Sequence, residues 1–285
     1  MVDLTAIILT KDEGKNIAKC IKSIIGFAKR IVVIDSGSTD RTVTIAKKLG
    51  ADVYVHPFEN YARQFNWGID NTNITTKWTL RLDADERFTP ALCNELTKKM
   101  KAHENDSVNG FVLEAWLVFM GKRLVYGGSR KKKLMVFKTG IGRVEDRKMD
   151  EHTILSEGTS IEVKEKFIHY DFKDLNTYVK KLNWYATREM QDYYEDRFPD
   201  EGFDGTNREI SATRSKKTTY YKFPMFLRCW LYFFYAYFIE GNWRNGKEGF
   251  VYSFLYHLYY RILVDAKIYE QKKYKREFEV TGDLK

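Results

Sequence analysis

Short apolar runs and helically spaced apolar positions take turns along the first hundred residues. Residues 4–9 form a mostly apolar run that reads as a buried strand, and Ile17, Cys20, Ile21, Ile24 and Ile25 then recur at helical spacing. A second run, 31–34, ends at Asp35. Ser36-Gly37-Ser38 is a turn, after which Thr39 or Asp40 can cap a helix ending near Gly50. Residues 52–56 give a third strand, and Tyr61, Phe65 and Ile69 mark the next helix. The alternating stretch 78–82 is a fourth strand that runs into Asp83-Ala84-Asp85, and Thr89-Pro90 starts another helix with proline at its first position.

This βαβα rhythm predicts an α/β fold with a mostly parallel, Rossmann-like sheet and helices on both faces. Such sheets bind ligands at the carboxyl ends of their strands. Thr10, Asp35, and Asp83 with Asp85 each follow a predicted strand, so the polar residues gather on that edge.

The pattern changes after residue 109. Longer strand-like stretches (111–120, 134–138, 167–170) alternate with basic loops, and from about 174 the chain reads as helical. Two aromatic-rich helices are expected near 223–240 and 247–270. The division expected is one domain over 1–172, with a first half at 1–108 and a second at 109–172. A helical, aromatic-rich region follows over 173–285.

The 285 residues suffice for a sizeable core, and 44% hydrophobic with 31% charged residues is the balance of a folded chain. The net charge of +9 asks for an anionic partner: lipid, nucleic acid or a phosphorylated substrate. It is concentrated, with ten Lys/Arg against Glu145 and Asp146 between Lys122 and Lys148. Cys20, Cys93 and Cys229 are odd in number and far apart, so neither a disulfide framework nor a zinc spacing is present, and a reducing, cytoplasmic compartment fits. The start of the chain lacks the basic and apolar regions of a signal peptide. Residues 223–239 are the only membrane-like stretch, but Pro224 and Arg228 interrupt it and leave it too short to span a bilayer.

Two carboxylates two residues apart beyond a strand, as in Asp83-Ala84-Asp85-Glu86, can meet different parts of one ligand. One can touch a ribose while the other holds a divalent cation bridging a diphosphate; a solvated turn with capping acids is the plainer reading. Asp35 can accept from a nucleobase N–H. Glu13 can hold a ribose or base, or complement the dipole of the first helix.

LTAIILTKDEGKNIAKCIKSI, IVVIDSGSTDRT and WTLRLDADER, in this order and at these intervals, resemble the family 2 glycosyltransferases of GT-A fold. More narrowly they are similar to the branch of lipopolysaccharide-core and capsule sugar transferases, with softer similarity in MDEHTILSEG, FIHYDFKDLNTYVKKLNWY and GNWRNGKEGFVYSFLYHLYYRILVDAKIYE. The resemblance implies that Thr10 and Glu13 contact the donor nucleoside. It implies that Asp35 reads the base, usually uracil, and that Asp83 and Asp85 form the diphosphate and metal motif, with Asp85 the direct ligand. His169 matches a further metal ligand, and Asp150 and Glu151 match the acidic pair that holds the catalytic base. Asn66 is placed with the nucleotide-sugar contacts; relatives often carry a basic residue just before it, where Phe65 stands here and Arg63 lies one turn earlier.

The implied reaction is inverting transfer from a nucleotide-diphosphate sugar, a UDP-sugar above all, assisted by Mn²⁺ or Mg²⁺. Glu151, or Asp150 in second place, takes the acceptor proton, and a cation at Asp85 offsets charge on the leaving diphosphate. Arg130, closest to the chemistry in the run 130–133, either lines the diphosphate or acceptor site or sits in a solvated loop. The aromatic stretch from Trp230 to Phe238 exceeds what one buried face needs. With Arg228, Arg214, Lys216, Lys217 and Lys222 it suits an anionic inner membrane leaflet, where lipid-linked glycan acceptors lie, while packing within the monomer or in an oligomer such as a homodimer is the other reading. A non-catalytic membrane- or nucleic-acid-binding protein leaves the strand-end acids unexplained. A nucleotidyltransferase asks for a fuller phosphate loop than Gly14-Lys15.

Overall fold

The N-terminal alternation folds as a parallel sheet. The computed structural model describes residues 1–127, 132–146, 151–194 and 219–274. Strands β1 (Val2–Thr10), β2 (Ala28–Asp35), β3 (Asp52–Val55) and β4 (Trp78–Asp83) pair in the order β3-β2-β1-β4, all parallel. The central strands are apolar because both faces are covered: Leu4, Ala6, Ile7, Ile8, Val32, Val33, Ile34 and Leu80 are all fully buried. Burying one such aliphatic side chain is worth roughly 1.5–3 kcal/mol.

Helices α1 (Ile17–Ile24), α2 (Thr42–Lys48), α3 (Tyr61–Asn71) and α4 (Pro90–Ala102) connect these strands or follow them. Asn60 and Thr89 cap α3 and α4 by accepting from Arg63 N and Leu92 N. Asp40 lies one residue ahead of the α2 cap position, Arg41, and accepts from both the N–H and the hydroxyl of Thr42.

Beyond β4 the sheet turns antiparallel. β8 (Lys132–Lys138) pairs with β4 on one side and β6 (Val108–Phe119) on the other, and β11 (Thr159–Glu162) adds to β6 in parallel. Strand β5 (Glu86–Arg87) pairs with β12 (Phe167–His169), the two-residue β7 (Lys122–Arg123) with the end of β6, and β9 (Gly142–Val144) with β10 (Thr153–Leu155). The mixture is α/β, mostly parallel in its first half, with a helical C-terminal region, as the pattern predicts.

The chain forms two compact units. The first is Met1–Trp116 with Lys131–His169; the second is Leu117–Arg130 with Tyr170–Lys285. In the second, α5 (Leu175–Tyr194) is followed, after residues outside the described set, by α6 (Leu227–Phe234), which continues as a π-helical turn over Tyr235–Ile239. Helix α7 (Gly246–Tyr252) runs through a π-helical stretch, Ser253–Tyr259, into α8 (Tyr260–Tyr274). Phe119, Tyr178, Leu182, Ala186, Tyr252 and Ile268 belong to its core.

That core holds charge in closed sets. Arg228 was expected among surface cations; instead it is buried and pairs through Nε with both oxygens of Asp265, at 3.0 and 3.1 Å. A guanidinium on the inner face of an amphipathic helix needs such a fork-matched carboxylate. Glu189 likewise accepts from Tyr221, Tyr260 and Arg261. No helix among the described residues is long and apolar enough to cross a membrane.

Candidate active site

Parallel register aligns the strand ends. Thr10 lies opposite Asp35, and Leu9 lies opposite both Ile34 and Asp83. The carboxyl ends of β1, β2 and β4 therefore form one edge, as the spacing of the motifs implies.

Asp35 is buried and its carboxylate is fully occupied. Oδ1 accepts from the hydroxyls of Thr10 (3.0 Å) and Ser38 (2.5 Å), and Oδ2 from the N–H groups of Gly37 (3.0 Å) and Ser38 (2.7 Å). Four bonds fill the lone-pair sites of a carboxylate. Gly37, at φ +81°, allows the tight return that brings its own N–H back to Asp35. The loops after β1 and β2 are then locked together: Asp12 Oδ1 accepts from Thr39 N at 2.7 Å, Ser38 Oγ from Asp12 N at 2.8 Å, and Asp40 Oδ2 from Gly14 N at 2.9 Å. Glu13 sits within this pair of loops and accepts from Asn16 Nδ2 at 2.8 Å.

The Asp83-Ala84-Asp85-Glu86 turn splits its carboxylates between two tasks. Asp83 Oδ1 accepts from Tyr61 Oη at 2.6 Å, and Oδ2 lies 3.2 Å from Lys133 Nζ. Glu86 is fully buried; Oε1 accepts from Lys133 at 2.8 Å and Oε2 from Asp83 N at 3.0 Å. Burial alone would raise the Asp83 carboxyl, but the Lys133 and Arg81 cations, helped by the Tyr61 hydroxyl, hold it well below the usual range. Burial wins at Glu86, which Lys133 only partly offsets, so its carboxyl titrates above its ordinary value. Burial opposes the charge on Lys133, yet Glu86 and Asp83 carry its ammonium above the ordinary value.

Asp85 points elsewhere. Its Oδ2 lies 3.4 Å from Nε2 of His169, which is buried at the end of β12. Two ligands about 2.1 Å from one cation lie about 3 Å apart when at right angles, so a carboxylate oxygen and an imidazole nitrogen at this separation fit the first two positions of a divalent site.

Arg81 ties this turn to the loop that carries Glu151. Its guanidinium stacks 4.4 Å over the Tyr61 ring and donates to Tyr61 Oη (3.0 Å), the Glu151 carbonyl (3.3 Å) and Thr153 Oγ1 (3.2 Å). Asn66 pairs with β9 as a neighbouring strand would: Nδ2 donates to the Val144 carbonyl and Oδ1 accepts from Val144 N. Its amide thus serves the β9–β10 hairpin, whose loop includes Glu151. Arg130 and Asp150 lie outside the described residues, as do Lys131, Arg147 and Lys148. Arg143 forks onto Asp70 at 2.6 and 2.8 Å.

Residues 5–143 match the model of glycosyl transferase family 2. The chain carries a family 2 glycosyltransferase domain. Several curated relatives match it over most of their own length as well as over the motif region. An uncharacterized glycosyltransferase of Rickettsia felis is 25% identical over 95% of this chain and 90% of its own. The lipopolysaccharide core biosynthesis glycosyltransferase LpsC of Rhizobium meliloti is 26% identical over 99% of this chain and 97% of its own. Among solved structures, glucosyl-3-phosphoglycerate synthase from Mycobacterium tuberculosis, in complex with Mn²⁺, UDP and glucosyl-3-phosphoglycerate, matches 40% of this chain and 44% of its own at 19% identity and a TM-score of 0.32, a likeness too slight to carry an argument.

Tyr61, Arg81 and Lys133 are the members of the site that motif reading passes over. An arginine inside a central strand is the one sequence signal among them, since a buried guanidinium needs a partner. Tyr61 reads as core at its helical spacing, and Lys133 as one more cation of a basic run.

Proposed function

We propose that this transferase moves a sugar, with inversion, from a UDP-sugar to a lipid-linked or cell-surface glycan. The observation that carries the reading is the convergence of Thr10, Asp35 and Asp83 on one strand edge, with Asp85 and His169 paired on the turn that follows. The choice of UDP and the inverting course follow the resemblance of the three N-terminal motifs. The full-length match to a protein named for lipopolysaccharide core biosynthesis supports a lipid-linked acceptor.

Asp85 and His169 would hold the divalent cation, Mn²⁺ or Mg²⁺. Such an ion, when bound, neutralises charge on the departing diphosphate. Thr10, Glu13 and the loops locked by Asp35 shape the nucleoside pocket, so Asp35 acts in recognition by fixing the loop that meets the base. Asp83, kept ionised by Lys133, faces the sugar nucleotide. Glu151 takes the proton of the acceptor hydroxyl as the new C–O bond forms, and Asp150 is its nearest substitute. Arg130 belongs with the diphosphate contacts. The protein works in the cytoplasm, peripherally on the inner face of the cell membrane.

Glu151→Gln provides the test. It should keep donor affinity and lose transfer by about a hundredfold or more, while proton NMR of the wild-type product shows the inverted anomer. Transfer at the wild-type rate by Glu151→Gln, or a retained anomer, would sink this mechanism.

A further inference from the structure

Helix α6 and its π-helical continuation bury one face and leave an equally apolar one outside. Arg228, Cys229, Phe233 and Ala236 point into the second unit. Leu227, Trp230, Leu231, Phe234, Tyr235 and Phe238 fall at steps of three and four along the same rod, and each is 46–55% exposed. Soluble surfaces scatter single apolar side chains; a continuous stripe of this size needs a partner. Beside it lies a cavity of about 490 Å³ lined by Tyr237, Trp243, Gly246, Lys247, Phe250 and Val251. Phe250 and Phe254, both exposed, carry the apolar surface onto α7 and the π-helical stretch that follows it.

The fully exposed charge along this stretch of chain has one sign. Among the described residues from 219 to 274, every exposed charged side chain is basic: Lys222, Arg244, Lys247, Lys272 and Lys273. The acids of the same stretch are half-buried or buried: Glu240, Glu248, Asp265 and Glu270. Glu248 lies 3.2 Å from Lys122, and Asp265 binds Arg228.

We infer that the exposed face of α6, with the adjoining cavity, is a docking surface for an anionic phospholipid bilayer, which it enters to the depth of the headgroups. The inference rests on the membrane-side placement proposed above and specifies the residues that make it. Trp and Tyr on such a face favour the headgroup boundary, where an apolar ring body and a polar tip are both accommodated. A cationic rim adds attraction to an anionic leaflet. A second copy of the chain is the poorer occupant, because an isologous contact sets the patch against itself and brings two cationic rims together.

Co-sedimentation with vesicles tests this. The full chain should bind mixed phosphatidylcholine–phosphatidylglycerol vesicles, bind pure phosphatidylcholine far less, and lose affinity as salt rises. Trp230→Asp with Phe234→Asp should weaken binding by about tenfold or more, and Lys247→Glu with Arg244→Glu, away from the stripe, should do the same independently. Both pairs are exposed, so circular dichroism melts and metal-dependent donor hydrolysis in solution should match the wild type. Equal binding to both vesicle types, no binding, variants that bind as well as the wild type, or a wild-type dimer that the Trp230 variant dissolves would each overturn the docking surface. Loss of donor hydrolysis in the wild type would instead strike the enzymatic reading and leave lipid binding to be judged on its own.

Discussion

Lys133 is the residue on which the carboxylate turn depends. Its ammonium stands 2.8 Å from a fully buried Glu86 and 3.2 Å from Asp83, and removing it would leave Glu86 without its ion-pair partner and Asp83 with Arg81 alone among the nearby arginines and lysines. Breaking a fully buried pair costs roughly 3–5 kcal/mol. Asp83 is partly exposed, so Lys133→Met should cost about 2 kcal/mol, read as a lower urea midpoint. Glu86→Gln in the same chain should recover part of that loss, because a neutral amide at Glu86 no longer needs the cation. An unchanged midpoint in Lys133→Met would mean that the ion pairs do not hold the turn. Asp35 makes a different residue-scale point. Its four internal bonds hold the loop after β2, so Asp35→Asn, which turns an acceptor into a donor facing Gly37 N, Ser38 N or a hydroxyl, should disturb both loops at once.

Asn66 and the β9–β10 hairpin set the next scale. The Asn66 amide makes two bonds to the Val144 backbone, each worth about 1 kcal/mol. Asn66→Ala should therefore loosen the loop with Glu151, lowering kcat while leaving the donor KM near the wild-type value. A rise in KM with kcat kept would return Asn66 to direct donor binding. In the second unit, a Cβ at Gly249 would collide with the Asn242 carbonyl oxygen. Gly249→Ala should then cost about 1–3 kcal/mol through overpacking against the 3₁₀ turn Asn242–Asn245, seen in the same urea titration.

The long elements were legible in the sequence because burial on both faces writes itself as an apolar run. The strands expected at 4–9, 31–34, 52–56 and 78–82 lie within a few residues of β1 to β4, and Thr89-Pro90 marks the start of α4 as observed. Short antiparallel pieces such as β5, β9 and β10 were not, since two or three residues carry no period. Asp35, Asp83 and Asp85 stood out by following strands. Tyr61 and Lys133 did not, because they reach Asp83 across 22 and 50 residues of chain, a contact only the fold creates.

At the scale of the molecule, the second unit carries a pH-sensitive core. His257 is caged by Tyr232, Tyr252 and Tyr256 at ring separations of 5.2–5.4 Å, and its Nδ1 is buried without a hydrogen-bond partner. Burial, with Arg261 adding to it, pushes its pKa down from 6.5 to about 3. The unfolded chain then binds the extra proton first, so stability is full above pH 6.5 and is lost progressively as pH falls toward about 3. Urea unfolding across that window should show the decline, and His257→Leu should flatten it; a slope that His257→Leu leaves unchanged would place the acid sensitivity elsewhere.

The charge of +9 and the family 2 domain meet in one reading, an enzyme that handles an anionic donor with a cation's help. Donor binding and hydrolysis across a panel of nucleotide sugars, with Mn²⁺, Mg²⁺ or EDTA, beside Asp85→Ala, is the direct test. A UDP-sugar that binds and turns over with Mn²⁺, fails in EDTA and fails with Asp85→Ala is the expected result. Full turnover in EDTA, or a folded protein that binds no nucleotide sugar under any metal condition, would contradict it.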